Sequence, residues 1–244
     1  MTDRTETGGP TRTPRREIAA VVPAGRRESS GVEPVLLWDR STSTEWSTVP
    51  GGADYPSPES RKAVMTEAIR QLVVHLDGLD TEEAGEQASG DDEMGGLLTF
   101  FFSSGTSHGT DLNPSNFDRK LSAVQWGGAT HIMSAWEQAL DEYDGEFGDK
   151  PERDRPVHLV AIATDGELDD GNDFATKALS TAGPHRIFLA MIFGADGDGD
   201  ERHSATLTQW TTLAQQQQAD DPHGKSYIRV ISFDSVTDPD EIAQ

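Results

Sequence analysis

Apolar positions along this chain fall into two alternating patterns. Residues 35–38, 97–102, 157–163 and 187–193 are short, almost uninterrupted apolar runs. A strand buried on both faces reads this way, because neither set of its side chains meets water. A fifth run, 227–233, is broken by Arg229 and Ser232 and predicts a strand nearer the sheet edge. The segments between these runs have helical period. Met65, Ile69, Leu72 and Leu76 lie four, three and four residues apart and so share one helix face. Ile132, Trp136, Leu140 and Tyr143 repeat that pattern, and Leu207, Trp210 and Leu213 follow it less cleanly. Phe117, Leu121 and Val124 predict a shorter helix, and Phe174 with Ala178 another. Strand and helix patterns in alternation predict β-α-β crossovers. The expected fold is therefore α/β: a doubly wound, Rossmann-like, mostly parallel sheet with helices on both faces.

Two stretches fall outside the pattern. Residues 1–31 are rich in Thr, Arg, Pro, Gly and Ser and read as a flexible N-terminal arm. Residues 80–96 are mostly Glu, Asp, Gly and Ser and read as an acidic surface loop. One domain is expected over residues 32–244. The arm holds six Arg against four acids, while the whole chain has a formal net charge of -23. A basic arm on an acidic body is expected to brush its own surface, with docking to a partner as the alternative. The excess of acid argues against nucleic acid or an anionic membrane as partner, since both are bound through basic surface. With no cysteine there is no disulfide framework, thiol nucleophile or cysteine-ligated zinc. No apolar run approaches the ~20 residues of a membrane span, and the polar N-terminus lacks a signal-peptide core. A soluble, cytoplasmic protein is expected.

In an open α/β sheet, ligands bind beyond the carboxyl ends of the strands, near the switch in strand order. The first strand runs into Trp38-Asp39-Arg40-Ser41-Thr42-Ser43 and the third, residues 157–163, into Thr164-Asp165-Gly166-Glu167. Between them, Trp126-Gly127-Gly128-Ala129-Thr130 brings a threonine to the start of a helix. Together these supply two carboxylates and three hydroxyls, all oxygen donors. That set suits a hard cation, Mg²⁺ first and Mn²⁺ or Ca²⁺ next. Asp39, Ser41 and Ser43 alternate, so their side chains can converge on one side. The two glycines let the second loop approach closely enough for Thr130 to reach the same point. Asp165 adds charge from the neighbouring strand.

Asp39-x-Ser41-x-Ser43, Thr130 after a Gly-Gly loop, and Asp165 in a Thr-Asp-Gly turn resemble the metal-ion-dependent adhesion site of the von Willebrand factor A domain. The resemblance spans roughly residues 32–240, and the run Leu37-Trp38-Asp39-Arg40-Ser41 is like the bacterial intracellular members. It implies that Ser41, Ser43 and Thr130 ligate the metal directly, and that Asp39 and Asp165 act directly or through water. It also implies a non-enzymatic protein-binding module, in which a partner's Asp or Glu fills the last coordination position. Such relatives work in larger intracellular assemblies, with AAA+ ATPases or in stress and conflict systems. Thr42 and Thr44 stand where many relatives have Gly and Met. Asp238-Pro239-Asp240-Glu241 reads as the start of the family's closing helix.

Other readings compete. Asp39, Ser41 and Ser43 also suit a simple turn after a strand, and Thr130 also suits a helix cap. Glu167, Asp169 and Asp170 read as a solvated acidic loop. Asp196-Gly197-Asp198-Gly199-Asp200 suggests a calcium loop, but Glu201 and Leu207 stand where an EF-hand needs Gly and Glu. Gly224-Lys225-Ser226 mimics a P-loop end, yet Ala219 replaces the first glycine and a strand follows. His131 is the one histidine expected near the site. Trp46 is expected at the site rim, the other tryptophans in core or rim, and Gln215 to Gln218 on the solvated end of a helix. A Mg²⁺-dependent phosphohydrolase or phosphotransferase would also use a strand-end acid, Asp39. It would want a second acid where this chain has Ser41, and a lysine at a strand end. The third alternative is a structural subunit of the same fold with a silent metal site.

Overall fold

The computed structural model describes residues 31–48, 52–80, 96–106, 108–166, 168–194 and 201–233, without the side chains of 75–80 and 201–203. The bulk of the N-terminal arm and of the acidic loop, Glu167, the Asp196–Asp200 run and the expected closing helix lie outside these residues.

Among the described residues six strands form one sheet: β1 (Val32–Asp39), β2 (Leu97–Phe102), β3 (Thr110–Leu112), β4 (Val157–Thr164), β5 (Arg186–Phe193) and β6 (Ile228–Phe233). Their order across the sheet is β3-β2-β1-β4-β5-β6. All neighbours pair in parallel except β2 and β3. β6 is an edge strand, as its broken apolar run predicts. β3 is the sixth strand, absent from the sequence reading. Three residues with one apolar side chain carry no alternation to detect.

Among the described residues five α-helices connect the strands: α1 (Arg61–Asp80), α2 (Phe117–Ser122), α3 (Met133–Phe147), α4 (Gly171–Thr181) and α5 (Glu201–Asp220). Both faces of the sheet are covered, and period-two alternation along β1 shows how. Leu36 and Trp38 pack with Met65, Ile69 and Leu72 of α1 and Phe117 of α2. Val35 and Leu37 pack on the opposite face with Trp136 of α3, Phe174 of α4 and Trp210 of α5. On α3 the buried face runs through Ala135, Trp136, Ala139 and Tyr143, while Leu140 is only half-buried. The two alanines bring that helix close to the sheet.

Packing also fixes the end of β1. Trp38 is fully buried, with ring centroids 5.2 Å from Phe101, 6.1 Å from Phe117 and 6.0 Å from Trp126. Burial of so large a side chain contributes roughly 3–5 kcal/mol against truncation, and the next residue is Asp39. Among the described residues no helix is long and apolar enough to cross a membrane.

Candidate metal centre

The chain runs outward from β1 through β2 to β3, then returns to place β4 beside β1 on its other side. The carboxyl ends of β1 and β4 therefore flank the switch point, where a crevice opens. β1 ends on Asp39, and β4 ends on Thr164, followed by Asp165. The Thr164 hydroxyl donates to Asp39 Oδ2 at 2.7 Å, which ties the two strand ends together.

Beyond Asp39 the chain turns tightly. The Ser41 N–H donates to Asp39 Oδ1 at 2.8 Å. A 3-10 turn over Thr42–Glu45 follows, closed where the Thr44 hydroxyl donates to Ser41 O at 2.7 Å and Trp46 N–H to Ser43 O at 3.0 Å. This turn brings Ser41 Oγ and Ser43 Oγ to 3.1 Å, and Ser43 Oγ donates to Asp165 Oδ1 at 3.0 Å. Neighbouring ligands in an octahedral Mg²⁺ shell, with bonds of ~2.1 Å, stand about 3.0 Å apart. The spacing, which is also that of an ordinary hydrogen bond, is compatible with that shell.

Thr130 reaches the same end of the sheet through its backbone. Gly127 N–H donates to Arg40 O at 2.7 Å, Thr42 N–H to Gly128 O at 3.2 Å, and Gly128 N–H to Thr42 Oγ1 at 3.1 Å. Gly127 and Gly128 both have positive φ, 122° and 101°. A Cβ on Gly128 would stand 2.7 Å from Ser104 Oγ. Thr130 N–H donates to Asp169 Oδ2 at 2.7 Å, and Asp169 N–H returns to Thr130 O at 2.9 Å. The structure thus joins Asp39, Ser41, Ser43 and Asp165 in one hydrogen-bonded cluster, and ties the Gly127–Gly128 loop that leads to Thr130 to Arg40 and Thr42. His131 is exposed beside it, its N–H donating to Ser103 O. Trp46 and Tyr55 are exposed, 40% and 48%.

Three features were not legible in the sequence. Thr164 is one. Arg61, the first residue of α1, is another: its Nη1 donates to Asp165 Oδ2 at 3.0 Å in a buried ion pair. The third qualifies an expectation. Asp169 is exposed and Asp170 half-buried, as a solvated loop predicts, but both carboxylates are engaged by backbone N–H groups. The Asp170 carboxylate accepts from Ile132 N–H and Met133 N–H, both at 2.9 Å, and so serves the N-terminus of α3. Thr130 does not cap that helix; the cap position is Ile132 and the capping carboxylate comes from another loop. Gln217 is likewise not solvated, since it is buried and its Oε1 accepts from Tyr227 N–H.

Asp39 and Asp165 have no exposed surface. Burial, and then the charge of Asp165, pushes the Asp39 carboxyl up to about 7 against the pull of Thr164 and Ser41 hydrogen bonds. Asp165 is raised too, by burial, although Arg61 and Ser43 oppose it. Two adjacent buried carboxylates call for positive charge. Among the described residues no group of three or more His, Asp or Glu side chains converges. A cation here must therefore draw on hydroxyls as well as carboxylates, and the donors present fit a hard divalent ion.

The sequence matches no protein-family model and no curated protein. Among solved structures it is similar to proximal thread matrix protein 1 from the mussel byssus, in a crystal structure with a zinc-occupied MIDAS motif. That match has a TM-score of 0.50 at 15% identity and covers 88% of this chain and 46% of that one. It is also similar to the manganese-loaded TRAP protein of Plasmodium vivax, with a TM-score of 0.43 at 14% identity, covering 84% of this chain and 71% of that one. This chain thus spans less than half the length of the mussel protein. At such identities the likeness is one of fold alone: a doubly wound, mostly parallel α/β sheet.

Proposed function

We propose that this chain is a metal-dependent protein-binding module without catalysis of its own. Ser41, Ser43 and Thr130 hold a divalent cation, Mg²⁺ first and Mn²⁺ or Ca²⁺ next, with Asp39 and Asp165 supplying charge. The observation that carries this is the buried cluster at the switch point, where hydroxyl and carboxylate oxygens stand 3.0 and 3.1 Å apart. When bound, such a cation supplies Lewis acidity toward an oxygen ligand at a position the protein leaves to solvent. Ser43 is only half-buried, so the cluster opens on its side. A partner's Asp or Glu enters there, beside the exposed rings of Trp46 and Tyr55. A place in a larger intracellular assembly, with an AAA+ ATPase or in a stress or conflict system, belongs to this proposal.

Asp39 is poorly suited to nucleophilic phosphoryl chemistry. It is fully buried, so neither oxygen is exposed to an incoming phosphorus. The Arg61–Asp165 ion pair favours a second reading, a silent site in which the guanidinium alone balances the charge. A pull-down in Mg²⁺ against chelator separates the readings. Capture of a partner only in Mg²⁺, lost in Asp39→Ala and Thr130→Ala, supports the module. Equal capture in chelator and in both variants supports the silent site.

A further inference from the structure

We infer that Arg40 and Thr42, the two residues set between the candidate ligands Asp39, Ser41 and Ser43, are positioning residues: they fasten the 125–128 loop and so deliver Thr130 to the cation. The inference rests on the metal-binding reading above. Ser41 Oγ meets Ser43 Oγ, which donates to Asp165. Arg40 and Thr42 reach the loop instead. The Arg40 guanidinium donates from Nη1 to Gln125 O and from Nη2 to Gly105 O, the latter at 3.3 Å. The Thr42 hydroxyl accepts from Gly128 N–H at 3.1 Å and donates to Gly128 O at 3.4 Å.

These ties act where the loop has least means of ordering itself. Gly127 and Gly128 bring no side chain to pack, and glycine loses more conformational freedom on folding than any other residue. Trp126, just ahead of them, packs edge-on to Trp38 at 6.0 Å and has Lys62 Nζ 4.3 Å from its ring centroid. Beyond the glycines, Thr130 N–H donates to Asp169. The loop is thus held from the end of β1 and from Asp169, and Thr130 follows the first fastening by two residues. The residue types suit this task. A guanidinium presents donors on two nitrogens in a fixed fork, so one side chain joins carbonyls of two segments, whereas an ammonium is a single point. A threonine hydroxyl both donates and accepts, which matches the N–H and C=O of one glycine. Thr42 is exposed and lies outside both core clusters.

The test is Mn²⁺ binding to the full chain, read from the magnetic resonance signal of free Mn²⁺, in a double-mutant cycle with Thr130→Ala. Thr42→Val keeps the side-chain shape and removes the hydroxyl; Arg40→Lys keeps the charge and removes the fork. Combined, the two should weaken Mn²⁺ binding by about tenfold, within the ordinary range for residues acting as one unit. In the Thr130→Ala background the same pair should change affinity by less than about twofold. Thr42→Ser, which keeps a hydroxyl, should bind as the wild type does. Deuterium uptake of the combined variant should quicken over residues 125–130 and stay at the wild-type rate over β4. A merely structural role would weaken binding equally in both backgrounds and quicken uptake over β4 as well; either result overturns the proposal. So does wild-type affinity, or wild-type uptake over residues 125–130, in the folded combined variant. If that variant does not fold, Thr42→Val alone enters the same measurements, with a loss of roughly threefold expected only where Thr130 is present; no loss overturns the proposal. Failure of the metal reading looks different: the wild type itself then binds no Mn²⁺, and this proposal falls with it.

Discussion

Asp39 holds its proton far above the ordinary range of a carboxyl, up to about pH 7, because burial and the charge of Asp165 penalise ionisation. The unfolded chain releases the same proton near pH 3.8. In chelator, stability from this group is therefore fully present below about pH 4 and is lost as pH rises through 7. A divalent cation takes the place of that proton, so metal stabilisation should grow with pH. At a hundredfold excess over Kd the gain is about 2.7 kcal/mol, or roughly 5–10 °C in a chain of this size. Thermal melts with and without Mg²⁺ should show a larger increment at pH 8 than at pH 5.5; equal increments would count against Asp39 as the titrating group. His158 acts in the opposite sense. Burial, and then Arg186, push its imidazole down to about 3, so its contribution is present above pH 6.5 and lost as pH falls. The raw melting curve mixes these groups, whereas the metal increment reports only the two buried carboxylates of the centre, Asp39 and Asp165. Asp39→Asn should melt no lower than wild type in chelator at pH 7.5, since the Thr164 hydroxyl can turn to accept from the new amide, and should not respond to metal. A metal-responsive Asp39→Asn would remove that carboxylate from the centre.

Helix α3 illustrates how one element depends on another. The N–H groups of its first turn have no partner within the helix, and Asp170, just ahead of α4, supplies it. A carboxylate there also meets the positive end of the helix dipole. Asp170→Ala should cost about 1–2 kcal/mol in urea unfolding. Asp169→Ala should cost less stability but more metal affinity, because Asp169 holds the Thr130 backbone on both sides. If both variants lose metal and stability in the same proportion, the two aspartates act as one unit. Gly128→Ala should likewise weaken metal binding, since φ of 101° and the contact with Ser104 force the loop outward.

The whole molecule bears a formal net charge of -23, and this shapes association more than fold. An acidic body repels an acidic partner, so the carboxylate that reaches the centre should be framed by Lys or Arg on the partner. Binding measured at 50 and 300 mM salt should weaken with salt through slower association, while chelator should abolish it at either concentration. Loss with salt alone, at constant metal, would point to a surface other than the centre. At this scale the division between sequence and structure is plain. Continuous apolar runs announce strands covered on both faces because burial leaves no polar set, and four of the runs lie within one residue of an observed strand at each end, apart from the longer start of β1. The turn after Asp39 is local, so Asp39, Ser41 and Ser43 could be read together from their alternation. Arg61 and Asp165 stand 104 residues apart, Thr164 and Asp39 125, and Asp170 and Ile132 38. No periodicity links such pairs. Strand order brings them together, and many orders bury the same apolar runs equally well. Packing of the whole chain selects one, and with it the guanidinium at the centre and the carboxylate beneath α3.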